Sequence, residues 1–544
     1  MRIDRRSFLQ LGATTLGAAA LMGAADLGAL SPAAGAASKP KLGGHLRVGL
    51  LAEVNGLNPL ASSLATSGTY YGRAIFDPLA IVAIDGTVKP YLCQSIIPNK
   101  AHTSWTFKLR PGIKFHDGTA LDSTALVGQF QHILHSPFSA VSAFSTVTAI
   151  QSVDPLTVTL QLSAPWVALP AYLTGTVGPG QLGFMAAPSM LANPNGAMQP
   201  VGTGPFIFES WEPGSHLVVK RNPNYWQKGL PYLSQITFTP IVDDTSRYQS
   251  LQAGTLDLIQ TSAPLVVSQM LSDSSINVLD NIKAPPIEPS QSFIMLNTEQ
   301  PPLDDVRVRR ALAYATDQKR VIAVSGAGLG VPSTGLFSPG NKYYAPTGYP
   351  GFNLKKAKAL IAEYRAANGG SAPASFPIQV DGTTYLDMAQ QLQQMWKLAG
   401  INVTIDTVEQ ATGLTQTLQG RYSAATQQQY EAADPDQNYA YWSSKNSGPL
   451  GSIAVNFARF SNPTIDAALN TGRSDPDPAA RIKAYQTISD QFATYVPYVW
   501  INRQIWAIGT GKNVQGVDKV AIPTGGFALP LTQGDVWMQR IWIR

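Results

Sequence analysis

Three prolines, Pro285, Pro286 and Pro289, crowd the stretch 284–289 and separate two halves of unlike texture. Proline fixes its own φ, lacks a backbone N–H and pushes the preceding residue toward extended backbone, so neither a helix nor a central strand runs through such a stretch. It predicts a crossing between two lobes. Ahead of it the hydrophobic period is two. Leu46, Val48 and Leu50 alternate within His45 to Leu51, and the run stops at Asn58-Pro59. Ile81 and Ala83 lead into the turn Asp85-Gly86, and Trp105, Phe107 and Leu109 alternate with Thr106, Lys108 and Arg110 before Pro111-Gly112 and Asp117-Gly118. Further strands are predicted at Val158 to Leu162, Phe206 to Phe208 and Leu217 to Lys220, with Ser123 capping a helix through Leu126, Phe130 and Ile133. Beyond the prolines, helices alternate with short strands. Asp317 and Asn353 each cap a helix, and a third helix runs from about Tyr385 to Leu398, ends at Gly400 and feeds the strand Ile401, Val403, Ile405. Ala480 to Phe492 reads as another helix, and Val499 to Ile508 as one strand returning to the first lobe. The first half thus predicts an α+β lobe and the second α/β units.

At 544 residues the chain exceeds what one core organises. Its charged fraction is 13%, and the net charge of +5 is scattered with no basic cluster along one face, which excludes a nucleic-acid footprint. The single cysteine, Cys93, rules out an intrachain disulfide and paired-cysteine zinc sites; Tyr91, Leu92 and Ile96 around it predict a buried, inert thiol. G-x-S-x-G, H-E-x-x-H, Walker-type and dinucleotide-binding glycine motifs are missing from the sequence, so no catalytic signature is displayed. His132 and His135 share a helix face that reads as solvated and not metal-ligating. Asp434-Pro435-Asp436 and Asp475-Pro476-Asp477-Pro478 read as turn or helix starts in preference to catalytic carboxylate pairs, and Arg307, Arg309 and Arg310 as a structural cluster held by carboxylates such as Asp304 and Asp305.

Residues 1–36 read as an export signal. Arg2, Arg5 and Arg6 precede an Ala/Gly/Leu run to Leu30, and Ala34-Gly35-Ala36 offers a cleavage site that leaves a mature chain starting near Ala37. Asp26 and four interspersed glycines make the run a poor permanent span. Arg5-Arg6-Ser7-Phe8-Leu9 resembles the twin-arginine export motif. No cysteine near the cleavage site offers a lipid anchor.

Six motifs, in order, resemble the extracytoplasmic solute-binding proteins of family 5, which serve peptide and nickel ABC importers. They are Gly43 to Val48 with Leu57-Asn58-Pro59; Phe76-Asp77-Pro78-Leu79 with Asp85-Gly86 and Pro90; the hairpin Trp105 to Gly118; Gly202-Thr203-Gly204-Pro205-Phe206; Arg221-Asn222-Pro223-Asn224-Tyr225-Trp226; and Val306 to Leu312 with Ala315-Thr316-Asp317. The likeness spans nearly the whole mature chain, and the motifs are scaffold: turns that need Gly or Pro, and aromatics that pack sheets.

The resemblance implies a two-lobe periplasmic-binding-protein-like clamp of the cluster C type, α/β and α+β with mixed sheets, closing on a solute between the lobes. Lobe 1 is expected over 37–284 with an inserted subdomain at about 79–200, lobe 2 over 285–498, and a return to lobe 1 over 499–544. In the family an aspartate three residues before an Asp-Pro pair commonly meets the amino terminus of a bound peptide; the matching acid here is Glu431, one methylene longer, preceded by Tyr430. Glu53, Tyr70, Tyr441 and Trp442 are further cleft candidates. The implied function is capture of a small solute, an oligopeptide first, by an exported monomer that delivers it to the membrane permease subunits of an ABC importer, without cofactor, metal or catalysis. An oligosaccharide, opine or metal chelate is the alternative ligand; an exported hydrolase and a structural envelope protein are the alternatives from other classes.

Overall fold

The computed structural model describes residues 39–62, 64–136, 139–282, 291–381, 385–408, 410–429, 433–518, 520–531 and 534–544; the signal expected over 1–36 lies outside them. Strand β1 (His45–Leu50) is followed by a ribbon of β2 (Ala80–Val82) and β3 (Val88–Pro90). Next come β4 (Cys93–Pro98), β5 (Ser104–Leu109), β6 (Val147–Asp154) and β7 (Thr157–Leu162), an antiparallel sheet in the order β4-β5-β7-β6. β8 (Phe206–Glu212), β9 (His216–Arg221), β10 (Gln235–Pro240), β11 (Leu258–Thr261) and β12 (Ile276–Asp280) then join β1. β13 (Gln291–Leu296), β14 (Ser375–Asp381), β15 (Asn402–Val408), β16 (Ala424–Gln429) and β17 (Tyr498–Arg503) form a five-stranded sheet ordered β15-β14-β16-β13-β17. β18 (Ala507–Gly511) returns to complete a seven-stranded sheet, β12-β18-β11-β1-β10-β9-β8.

Alternation explains why these segments are strands. Trp105, Phe107 and Leu109 of β5 face one apolar cluster together with Leu46, Val48 and Leu50 of β1, so the four- and seven-stranded sheets share a core. β13 is buried along its whole length and serves two cores. Its Ile294 and Leu296 pack with Ile378 and Trp396 on one face, while Phe293 and Met295 pack with Tyr485 and Trp500 on the other.

The motifs meet in space. Gly202 and Gly204 run so close to Ile75 that a Cβ would come within 2.2 and 2.4 Å of its backbone, which is why glycine stands at both. His116 Nδ1 accepts from Gly202 N–H at 3.4 Å while Nε2 faces the Gly204 carbonyl at 3.0 Å, so the ring is neutral with its proton on Nε2, and burial pushes its pKa down to about 4. Asp77 of the second motif receives Tyr225 Oη–H at 3.0 Å and Trp226 Nε1–H at 2.8 Å from the fifth.

Asp317 and Asn353 cap their helices as expected, and Asp477 caps Pro478–Tyr495. The helix Ser123–Leu134 is capped by Asp122, not by Ser123: the Asp122 carboxylate accepts the Ala125 N–H at 3.0 Å, and Ser123 is the first helical residue. The single strand expected over Val499 to Ile508 is two strands in different sheets, β17 and β18. Both are largely buried, so the apolar run is nearly continuous, and the polar break Asn502-Arg503-Gln504 is its only mark.

The chain leaves the seven-stranded sheet after β12, which ends at Asp280, enters the five-stranded sheet with β13 at Gln291, and returns between β17 and β18 at 504–506. Asn281 ties these passages together. Its side chain receives the Trp506 N–H at 2.9 Å and donates to the Gln504 carbonyl at 3.3 Å, and its own N–H donates to the Trp506 carbonyl at 3.2 Å.

Candidate functional site

Both large sheets contain parallel strands: β1 runs with β10 and β11, and β14 with β15 and β16. In open α/β sheets ligands settle beyond the carboxyl ends of such strands, where connecting loops converge. Those ends are Leu50, Pro240 and Thr261 on one sheet and Asp381, Val408 and Gln429 on the other. Glu53 follows the first and Tyr430-Glu431 the last, but Tyr430 and Glu431 lie outside the described residues.

Among the other candidates, the half-buried Glu53 accepts the Gly214 N–H at 2.7 Å and Trp211 Nε1–H at 3.4 Å, which engages its carboxylate with the turn between β8 and β9. Tyr70 is fully buried on the helix Thr66–Ile75, donates its hydroxyl to the Gly534 carbonyl at 2.8 Å, and has its pKa driven up by burial. Tyr441 and Trp442 belong to one aromatic cluster on the five-stranded sheet: Trp442 is buried with its ring 5.8 Å from Phe492, and the half-buried Tyr441 stands 5.6 Å from Phe457. The structure thus gathers Tyr441 and Trp442 and sets Glu53 and Tyr70 on the seven-stranded sheet.

The loop that follows β16 is held by two buried ion pairs. Asp434 caps a short 3-10 helix, Pro435–Asn438, in a reciprocal capping box with Gln437, so Asp-Pro does start a helix here. Its carboxylate also takes Arg481 Nη2–H at 2.7 and 2.8 Å. Asp436, whose side chain is 0% exposed, takes Arg473 Nε–H at 2.9 Å and Nη2–H at 3.1 Å. Burial opposes the charge on both arginines, but the adjacent carboxylates Asp436 and Asp434 more than offset it and raise both guanidinium pKa values. Trp166 Nε1–H reaches Asp436 Oδ2 at 2.8 Å, and the Tyr172 hydroxyl donates to the Asp436 carbonyl at 2.6 Å and lies 3.2 Å from Oδ2. A cavity of about 180 Å³ opens beside Arg481, between Val167 and Lys342, Tyr343, Pro476, Pro478 and Ile482.

Sequence reasoning did not find this cluster. The Asp-Pro-Asp triplet was visible as a turn, but Arg473 lies 37 positions and Trp166 270 positions from Asp436. The other polar features are structural. Arg307 pairs with Asp305, whereas Arg309 donates to the backbone carbonyls of Leu303, Asp304 and Tyr495. His132 and His135 are exposed, each with Nδ1 against the carbonyl four residues back. Among the described residues no cluster of His, Cys, Asp and Glu fits a metal ion, and no helix is long and apolar enough to cross a membrane. Cys93 is fully buried, which pushes its thiol pKa up.

A seven-stranded and a five-stranded mixed sheet, linked once between β12 and β13 and again between β17 and β18, make up a fold shared with the periplasmic binding proteins. The agropinic acid complex of the binding protein AgaA from A. tumefaciens R10 matches with a TM-score of 0.79 and 26% identity, over 92% of this chain and 99% of that one. The oligopeptide-binding protein AppA of Bacillus subtilis, bound to a nonapeptide, matches at 0.78 and 22% identity, over 93% and 100%. The chain belongs to the bacterial extracellular solute-binding proteins of family 5, whose model matches residues 87–450. The glutathione-binding protein GsiB of Escherichia coli (strain K12) is 26% identical over 453 residues, 81% of this chain and 85% of that protein. The resemblance carried by the hairpin Trp105 to Gly118 and its companion motifs is borne out, as is the binding-protein fold it implied.

Proposed function

We propose that this solute-binding protein captures a peptide-like solute with a free amine between two lobes and delivers it to the permease subunits of an ABC importer, binding without catalysis and as a monomer. Lobe 1 comprises 37–284, with an inserted subdomain at about 79–200, and 499–544; lobe 2 comprises 285–498. Export follows the twin-arginine signal in 1–36, and the mature protein acts outside the membrane without a lipid anchor. The observation that carries the peptide class is the similarity to a relative whose name gives glutathione, a small peptide, as its ligand. Glu431 supports it, since the residue follows β16 at the carboxyl end of a parallel strand and supplies an anion for an amine. The similarity to AgaA favours an opine-like solute as the second reading.

The test is thermal unfolding with glutathione, an equimolar library of tripeptides with free or acetylated amino termini, and agropinic acid. A free-amine peptide raises the midpoint with concentration, because a ligand that binds only the folded state stabilises it by RT ln(1 + [L]/Kd). Acetylation and Glu431→Gln each weaken that binding by roughly thirtyfold to several thousandfold, the effect of leaving one buried charge unpaired. A shift with agropinic acid alone replaces the peptide by the opine-like solute, and equal binding of free and acetylated peptides removes Glu431 from the site.

A further inference from the structure

Residues 166–173 and the loop after β16 come from different cores. Trp166 and Tyr172 pack in the cluster shared by the seven- and four-stranded sheets, whereas Tyr439, Tyr343 and Tyr485 around the loop pack on the five-stranded sheet. Yet the polar groups of the two segments are spent on each other. Besides the Trp166 and Tyr172 bonds to Asp436, Val167 N–H donates to the Arg473 carbonyl at 2.8 Å and Gln437 Nε2–H to the Ala171 carbonyl at 3.2 Å.

The charges are distributed differently. Asp436 is neutralised by Arg473, which belongs to its own side and lies 3.7 Å above the Tyr439 ring. Separating the segments therefore leaves the ion pair whole and uncovers only neutral donors, an indole N–H, a phenol O–H, the Val167 N–H and the Gln437 amide, together with the Arg473 face that lies 5.6 Å from the Trp166 ring. Breaking a buried ion pair is costly, whereas exchanging neutral donors for water is nearly balanced. Such a contact can open and close without unfolding either side.

We infer that Asp436 is a positioning residue that latches the two lobes: Trp166 docks on its carboxylate and Tyr172 on its main-chain carbonyl when the cleft closes, and both release it when the cleft opens. This rests on the two-lobe reading proposed above, but not on the identity of the solute. The latch weights the closed state before any ligand is present, and ligand then adds to an existing bias.

The experiment measures spin-label distances in the ligand-free protein. Val153→Cys and Ile453→Cys place labels on exposed positions, one on β6 and one on the side of the five-stranded sheet, while the native Cys93 is buried and stays unlabelled. The wild type shows a short-distance population. Trp166→Phe with Tyr172→Phe, which leaves an aromatic ring at both positions, smaller at 166, and removes both donors, shifts the closed-to-open ratio at least tenfold toward long distances, equivalent to about 1.4 kcal/mol. Tyr172→Phe alone shifts it in the same direction and serves if the double variant folds poorly. A wholly open wild type, or a variant that loses thermal stability while its distance distribution stays that of the wild type, overturns the latch. Because no solute is added, failure of the peptide reading leaves this test standing, and failure of the latch leaves the acetylation experiment unaffected.

Discussion

Asp77 and Asp436 are two buried carboxylates in nearly the same aromatic setting, and they behave as different chemical groups. An indole and a phenol stand at each: Trp226 and Tyr225 donate to the Asp77 carboxylate, while Trp166 donates to the Asp436 carboxylate and Tyr172, whose O–H goes to the Asp436 carbonyl, stands 3.2 Å from Oδ2. Asp436 also has the Arg473 guanidinium, whereas Asp77 has no ion pair among the described residues. Burial drives the Asp77 carboxyl from its ordinary 3.8 up to about 7, although its hydrogen bonds to Trp226, Tyr225 and Thr203 pull the other way. Aromatic donors orient an acid, and a neighbouring cation is what keeps it charged out of water. The uncompensated acid sits inside one core, where it ties two sequence motifs together; the compensated one sits where two cores meet.

The largest test of this comparison is Arg473→Met, which turns Asp436 into a second Asp77. Removing one partner of a buried pair costs ~3 to 5 kcal/mol at neutral pH, measurable by urea unfolding. A loss under about 1 kcal/mol at pH 7 would show that the guanidinium is not what distinguishes the two sites.

Next in size is the pH dependence at Asp77 itself. Its folded pKa of about 7 exceeds the ordinary 3.8, so the folded state holds the proton more tightly and stability falls as pH rises between those values, by roughly 4 kcal/mol at most. Asp77→Asn removes that slope. The variant starts less stable at pH 4.5, because an amide satisfies fewer of the surrounding donors, and the gap to the wild type narrows by pH 8. Parallel unfolding curves for the two proteins across that range would contradict the shifted carboxyl.

The smallest effect sets the baseline. Lys220 and Glu209 are paired at 3.8 Å with side chains 56% and 43% exposed. Lys220→Ala changes stability by less than ~1 kcal/mol at any pH between 5 and 8, and 0.5 M salt erases the difference, as expected of a screened surface pair. A larger or salt-resistant effect would mean that exposure does not separate this pair from those at Asp434 and Asp436.

What was legible in the sequence was local. The period of two at Trp105, Phe107 and Leu109 gave strand β5 and its buried face, and Asn353 and Asp317 marked helix starts because an Asn or Asp side chain binds N–H groups within three residues of itself. Motif order gave the family. Partnerships across the chain were not legible: Asp77 with Tyr225, 148 positions apart, and Asp436 with Trp166 leave no periodic trace, since each residue alone reads as a turn acid or a core aromatic. Buried strands hid their limits for a related reason, as in the apolar run of β17 and β18, broken only by Asn502-Arg503-Gln504. Glu431 was accessible only through its position relative to Asp434-Pro435, because nothing in its neighbours' periodicity sets it apart.

Tyr70 hydrogen-bonds the carbonyl of Gly534, 464 positions away, and Val536, Met538 and Ile541 are buried in the same core as β1. The first strand to be synthesised therefore waits for some of the last residues before its core is complete. At ~5 to 20 residues per second that interval is roughly 25 to 90 s, far longer than collapse or hairpin formation takes. During it the apolar faces of the first half are left without their final cover, and closing so long a loop adds entropy that only the finished core repays. Maturation of this core is thus timed by translation, and a chain stalled after residue 505 would be held unfinished and sticky, however well its second half had folded.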